Sequence, residues 1–123
     1  MCRILLSIKP EYVEKIINGK KTFEFRRNIP RRKVDVVVIY STYPEKKIIG
    51  EFTVKEIHKE KIDDLWQKTQ GNQGISLSNY EKYYNGKEIG FAYEIDKLTI
   101  YELKKTLSDF KISYAPQSFI YLD

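Results

Sequence analysis

The chain has 123 residues, of which 41% are hydrophobic and 32% charged, and its formal net charge is +5. This length suits one hydrophobic core, and the apolar fraction is too high for a disordered chain, so we expect a single domain over residues 1–123. A single cysteine excludes an intramolecular disulfide and the zinc sites built from two or four cysteines. Because no apolar run is long enough for a signal peptide or a membrane span, we expect a cytoplasmic protein without a membrane partner.

The first part of the chain shows strand and helix patterns in turn. Residues 3–8 form a short apolar run that predicts a strand. A helix is predicted between Pro10 and Gly19, because proline suits the first helical position and glycine the position just past the end. From Lys21 onward apolar residues recur at every second position, which indicates a half-buried strand. Residues 34–40 are β-branched without alternation, which is typical of a central strand.

The remaining elements are shorter or less regular. The pattern predicts a strand at 48–57 with a bulge after Val54, a helix at 62–69, a helix capped by a Ser78-x-x-Glu81 box, two strands at 89–95 and 97–102 around a bend at Asp96-Lys97, and a last strand within 114–122. This order predicts an α+β domain in which a bent sheet closes into a small barrel flanked by short helices.

The positive charge is concentrated in the N-terminal third. Residues 9–33 contain nine lysines or arginines and three glutamates, which gives +6, whereas the rest of the chain sums to −1. Such an asymmetric field attracts a polyanion to this segment, since phosphate contacts supply much of the affinity for nucleic acid. The alternative is a solvated basic surface without a ligand.

The junction between the first helix and the second strand carries the main candidate site. Glu24 and Arg26 share one face of the strand, and Lys21 lies at its start, just past the helix end. One interpretation is a surface ion pair of little energetic value. The other is a charged wall on which Lys21 and Arg26 meet a phosphate while Glu24 accepts a hydrogen bond from a base or a hydroxyl. The residues alone leave both open.

A family resemblance favours the second interpretation. Gly19, Lys21, Glu24 and Arg26 reproduce the Gly-x-Lys-x-x-Glu-x-Arg signature of the ASCH domain, a branch of the PUA-like superfamily. Residues 4–27, 48–57 and 115–122 also resemble segments of this family. The resemblance implies a PUA-like fold, a small bent β-barrel flanked by short helices, with a cleft beside the first helix that binds RNA or nucleotides in relatives.

The resemblance also implies which residues bind nucleic acid. Lys21, Glu24 and Arg26 would line the cleft, and Arg27 would contact the phosphate backbone without reading sequence. The full set of expected binding residues is Lys9, Lys21, Glu24, Arg26, Arg27 and Ser118. Among the aromatic residues, Tyr43, Tyr83 and Tyr84 lie near predicted loops and are the best candidates for stacking on bases. No metal, cofactor or catalytic residue is expected.

Three functions remain open at this stage. The leading hypothesis is a module that binds RNA or a modified nucleotide, as a regulator of transcription or translation. The second is a hydrolase that acts on RNA or a modified nucleoside through Lys21 and Glu24. An amidohydrolase of the kind found among relatives does not fit, because Glu24 stands where those enzymes have a threonine nucleophile. The third is a protein-interaction domain, resembling those of coactivators, whose cleft is inert and whose partner is a protein.

Overall fold

A computed structural model describes residues 1–122, and within that range it contains six strands, three α-helices and a short 3-10 helix. In chain order these are β1 (Arg3–Ile8), α1 (Pro10–Ile17), β2 (Phe23–Arg26), β3 (Val36–Ser41), β4 (Lys47–Lys61), α2 (Ile62–Lys68), α3 (Leu77–Tyr83), β5 (Ile89–Lys105), the 3-10 turn (Ser108–Phe110) and β6 (Phe119–Tyr121). No helix within residues 1–122 has the length and apolar character needed to cross a membrane.

The strands form one mixed sheet that curls into a half-barrel. Its strand order is β2-β5-β4-β3-β1-β6, in which β1 and β3 are parallel and all other neighbours are antiparallel. The parallel pair is connected through α1 and β2, whereas β4 and β5 are long enough to follow the curvature of the sheet. The α+β fold of PUA-like type predicted from the sequence is confirmed.

Helices cover the sheet at two places and bury two apolar clusters. The larger cluster lies inside the half-barrel, where Val13 and Ile16 of α1 pack against the buried side chains of β1 and β3. The second cluster joins α2 and α3 to β2 through Leu65, Tyr80 and Phe25. Phe23 and Phe25 of β2 face this second cluster, and the alternating Glu24 and Arg26 face the other side of the strand.

Two predicted elements differ in the structure. The two strands expected at 89–95 and 97–102 are one strand, β5, because Asp96-Lys97 forms a bulge opposite β4 rather than a turn. The amide of Lys97 donates to the hydroxyl of Thr53, 3.0 Å away, so the bulge stays tied to β4. The bulge predicted after Val54 is confirmed by register shifts on both sides of that residue.

The cap of α3 and the extent of the last strand also differ from the prediction. The helix is capped by Ser76, whose hydroxyl accepts from the amide of Asn79 at 3.1 Å, and the proposed cap Ser78 lies within the helix. Only residues 119–121 of the predicted last strand pair with β1. Upstream of them, Pro116 has no amide hydrogen to donate, and its carbonyl instead accepts from the hydroxyl of Ser7 at 2.7 Å.

Candidate functional site

One open cavity of about 850 Å³ lies at the mouth of the half-barrel. Its walls come from the end of β1, the start of α1, strand β2, helix α3 and the segment before β6. The structure brings all six residues expected to bind nucleic acid around it, and these are Lys9, Lys21, Glu24, Arg26, Arg27 and Ser118. Their role in binding stays a prediction.

Glu24 is at the centre of a buried charged group at the floor of the cavity. Its Oε2 atom accepts from Arg26 through Nε at 3.1 Å and through a terminal nitrogen at 2.7 Å. Its Oε1 atom faces the ammonium of Lys21 at 3.6 Å. Glu24 and Lys21 are only 5% and 3% exposed, so the interpretation as an exposed surface ion pair is wrong. The group carries a net charge of +1.

Arg26 has less freedom to bind an anion than the sequence suggested. Besides Glu24, the terminal nitrogen of Arg26 donates to the carbonyl of Ser7 at 2.7 Å. Burial works against the charge of Arg26, but the Glu24 carboxylate, Tyr83 and Tyr93 together outweigh it, so the pKa of the guanidinium is raised. Arg26 therefore orients Glu24 and joins β2 to β1, while most of its donors are already engaged.

Lys21 is enclosed by residues distant in the sequence. It forms an isolated bridge with Gln73, and its ammonium lies 3.4 Å from the Gln73 carbonyl. The rings of Phe25 and Tyr12 lie 4.8 and 5.3 Å from the same nitrogen. Gly74 packs so closely that a Cβ atom there would be 2.4 Å from the Cβ of Lys21. Lys21 is thus fixed in position by packing rather than by charge alone.

The enclosure changes the acid–base behaviour of Lys21. Desolvation lowers the pKa of its ammonium, and the nearby charges of Arg26 and Lys15 act in the same direction. The carboxylate of Glu24 opposes them by favouring the charged form. A buried lysine with a lowered pKa gives up its proton more easily than a surface lysine, which is a property that proton transfer requires.

The rim of the cavity supplies exposed cations and aromatic rings. Lys9 and Arg27 are both exposed, and the guanidinium carbon of Arg27 lies 5.2 Å from the centre of the Tyr83 ring. The cavity lining contains five cationic and two acidic side chains, so its net charge is +3. The charged lining residues are Lys9, Lys21, Arg26, Arg27, Lys82, Glu11 and Glu24.

Some of the lining residues were not found from the sequence. Tyr12 is not among the predicted site residues, yet it lines the cavity and its ring centre lies 5.3 Å from the Lys21 ammonium nitrogen. Among the tyrosines proposed for stacking, Tyr83 lines the cavity, whereas Tyr84 is 2% exposed and lies in the second apolar cluster. Tyr43 is exposed but does not line the cavity. The position of Tyr12 on the first helical turn, beside Glu11, was the available signal for a solvent-facing hydroxyl.

A second titratable group lies away from the cavity. The ring of His58 has Nε2 at 2.9 Å from Glu94 and Nδ1 at 3.3 Å from Glu56. The three ligating atoms lie within 4.8 Å of one another, a spacing compatible with a metal ion. His58 is 7% exposed and packs edge-on against Phe23. Both ring nitrogens of this histidine therefore already have carboxylate partners.

Comparisons with known proteins agree with this geometry. The ASCH domain family model matches residues 6–99. The chain is 31% identical over 120 residues to the large ribosomal subunit protein uL22 of Ureaplasma parvum, covering 97% of this chain but only 39% of that protein. It is 30% identical over 125 residues to an ASCH domain-containing ribonuclease of Zymomonas mobilis, covering 96% of this chain and 82% of that protein.

A solved structure shows the same architecture. The crystal structure of ASCH from Zymomonas mobilis superimposes with a TM-score of 0.86 at 28% sequence identity, covering 98% of this chain and 87% of that one. The family model covers the first helix, the charged group and most of the sheet, including the signature residues Gly19, Lys21, Glu24 and Arg26. The chain therefore belongs to the ASCH domain family.

Proposed function

We propose that this chain binds single-stranded RNA in the cavity at the mouth of the half-barrel. The observation that carries the proposal is the lining itself, in which five cations and two carboxylates surround about 850 Å³ of open space. A cavity of this shape admits unpaired nucleotides, whereas a rigid duplex offers only its outer surface. By holding a transcript in this way, the module would act as a regulator of transcription or translation.

The lining residues suit the parts of a nucleotide in different ways. Lys9 and Arg27 are exposed and have no carboxylate partner within residues 1–122, so they suit the phosphates. The ring of Tyr83 offers a face for a base. At the floor, Oε1 of Glu24 faces only Lys21 and keeps acceptor capacity for a ribose hydroxyl or a base amine. Ser118, just before β6, lines the same cavity.

The Zymomonas relative supports RNA as the ligand over other polyanions. It carries the name ribonuclease, and the alignment spans 82% of that protein. An ASCH structure from the same organism follows this chain over 98% of its length. A modified nucleotide remains compatible with the same lining, because it presents the same phosphate, sugar and base groups. The length dependence of binding separates the two ligands, since a site for one nucleotide gains nothing from a longer strand.

Binding is tested with a fluorescently labelled RNA nonamer and anisotropy at several salt concentrations. Lys9→Ala combined with Arg27→Ala is the preferred variant, because both side chains are exposed and the buried group at the floor stays intact. We expect weaker binding and a salt slope smaller by about 1.4, since each phosphate contact to single strands contributes about 0.7.

The matched control is Lys59→Ala combined with Lys87→Ala. Both lysines are exposed and neither lines the cavity, so the variant loses the same charge at a distance from the site. The proposal requires this control to bind almost as tightly as the unchanged chain. Equal losses in the two double variants, or no binding of RNA at low salt, would contradict it.

Cleavage of the bound RNA is a second candidate function, favoured by the buried Lys21 beside Glu24. In such a reaction the 2′-hydroxyl attacks the adjacent phosphorus and gives its proton to Oε1 of Glu24. The bond from phosphorus to the 5′-oxygen breaks as that oxygen takes a proton from the Lys21 ammonium, whose pKa is lowered by burial. The products would be a cyclic 2′,3′-phosphate and a free 5′-hydroxyl.

A nonamer with one 2′-deoxy position tests this chemistry directly. Cleavage at every position except the deoxy one would support it, and Lys21→Arg would abolish it because arginine does not release its proton. An RNA that stays intact while it is bound would leave the chain a binding module and would rule out the cleavage.

A further inference from the structure

We propose that Arg32 and Tyr121 form a second base-stacking site, so that RNA bound in the cavity continues along the outside of the domain. This inference rests on the proposed RNA binding, and it adds that the bound RNA strand extends beyond the cavity. The name outer strip is used here for four residues outside the cavity lining, which are Arg31, Arg32, Lys33 and Tyr121.

Arg32 and Tyr121 are stacked on one another. The guanidinium carbon of Arg32 lies 3.7 Å from the centre of the Tyr121 ring, and the backbone amide of Arg32 lies 3.4 Å from the Tyr121 hydroxyl. The Tyr121 ring also makes an edge contact with the Phe119 ring, and the two ring centres are 5.6 Å apart. Phe119 in turn packs on the larger apolar cluster. The stack is therefore anchored to the core rather than loosely attached.

Both residues of this stack are accessible to a base. Arg32 is exposed, and Tyr121 is 36% exposed. Unpaired bases stack on arginine guanidinium planes as well as on aromatic rings, and such stacking does not depend on base identity. No carboxylate pairs with Arg32 within the part of the chain that the structure describes. An exposed arginine that lies over an aromatic ring without a carboxylate partner fits an anionic, planar ligand.

Two chain segments run together from the cavity to the stack. The loop after β2 leaves the cavity at Arg27 and Asn28 and reaches Tyr121 at Arg32. On the other side Ser118 lines the cavity, and Tyr121 follows three residues later. Three residues of extended chain span at most about 11 Å. An RNA strand that leaves the cavity between these two protein segments therefore reaches the outer strip within a short distance.

Charge along this path matches a polyanion. Residues 26–33 contain five basic residues and no acidic one. Arg31 and Lys33 flank the stack and are both exposed, so they can contact the phosphates on either side of a stacked base. The path also repeats the arrangement at the cavity rim, where Arg27 lies over the Tyr83 ring. Two guanidinium–tyrosine contacts, at 3.7 and 5.2 Å and separated by basic residues, are an arrangement suited to successive bases of one RNA strand.

The test compares a labelled uridine trimer with a labelled uridine nonamer in anisotropy titrations. Tyr121→Leu removes the ring but keeps an apolar side chain against Phe119. We expect the affinity for the nonamer to fall about 5- to 150-fold, which is the effect of losing one stacked base, while the affinity for the trimer stays the same. Tyr114→Leu is the matched control, because Tyr114 is 80% exposed in the same part of the chain and lies outside both sites.

Arg32→Gln is the second variant, and it tests the proposal even if Tyr121→Leu fails to fold. Its side chain is exposed, so circular dichroism should remain unchanged, and we expect the nonamer alone to bind more weakly. Equal losses of affinity for trimer and nonamer, or no loss in either variant, would overturn RNA binding by the outer strip while leaving the cavity proposal intact. Failure of the unchanged chain to bind either oligomer would overturn the proposed RNA binding itself.

Discussion

Replacing Glu24 with glutamine tests the idea that the floor of the cavity is held by a buried charged group. Glutamine keeps the size of the side chain but removes the charge that both Lys21 and Arg26 face. Because Lys21 and Glu24 are only 3% and 5% exposed, solvent screens the interaction between their charges only weakly. Breaking a buried ion pair on one side costs about 3–5 kcal/mol, so we expect Glu24→Gln to lower the free energy of unfolding by that amount.

The pH dependence of the effect follows from Lys21. Burial lowers its pKa in the folded chain below the ordinary value of 10.5, so the unfolded chain binds more protons in the interval between the two values. Stability therefore rises with pH through that interval. Removing Glu24 takes away the influence that raises the Lys21 pKa, which widens the interval toward neutral pH. The variant should thus recover part of its lost stability between pH 7 and pH 10.

The measurement is urea unfolding, followed by the fluorescence of the single tryptophan, Trp66, at pH 7 and pH 10. Glu60→Gln is the matched control, because the carboxylate of Glu60 pairs with Lys68 at 2.9 Å on the surface. An exposed pair contributes about 0–1 kcal/mol, so the same chemical change should have little effect there. If Glu24→Gln costs no more than Glu60→Gln, the group at the cavity floor is not the rigid buried unit described above.

Two further pairs of variants test the packing around the site by urea unfolding. Gly74→Ala should lower the free energy of unfolding by about 1–3 kcal/mol more than Gly71→Ala. Both glycines have positive φ, but only at Gly74 would a Cβ atom press against Lys21. Equal losses would mean that Lys21 is free to move. Tyr93→Phe should be neutral or stabilising, since its buried hydroxyl has no partner within residues 1–122. Tyr84→Phe should cost about 1 kcal/mol, because its hydroxyl donates to a backbone carbonyl at 2.9 Å; the reverse order would contradict the hydrogen-bond assignment.

Local sequence signals were sufficient for much of the fold. Pro10 and Gly19 delimit α1 within one residue on each side, because both residues act through their own backbone preferences. The continuous β-branched run predicted a central strand, and β3 lies between β1 and β4 with all its residues buried. Signals that needed a partner strand were less reliable. The polar pair Asp96-Lys97 suits a turn and predicts a bend, whereas pairing with β4 on both sides keeps β5 continuous.

The sequence by itself determined which residues could form the site. The spacing of β2 placed Glu24 and Arg26 on one strand face, since side-chain direction in a strand depends only on sequence position, and the signature added Lys21 at the helix–strand junction. Only the tertiary structure decided what those residues do there. Lys21 is buried because Gln73 and Gly74, more than fifty residues later, pack against it. Burial, pairing and pKa depend on such distant contacts, which no local pattern contains.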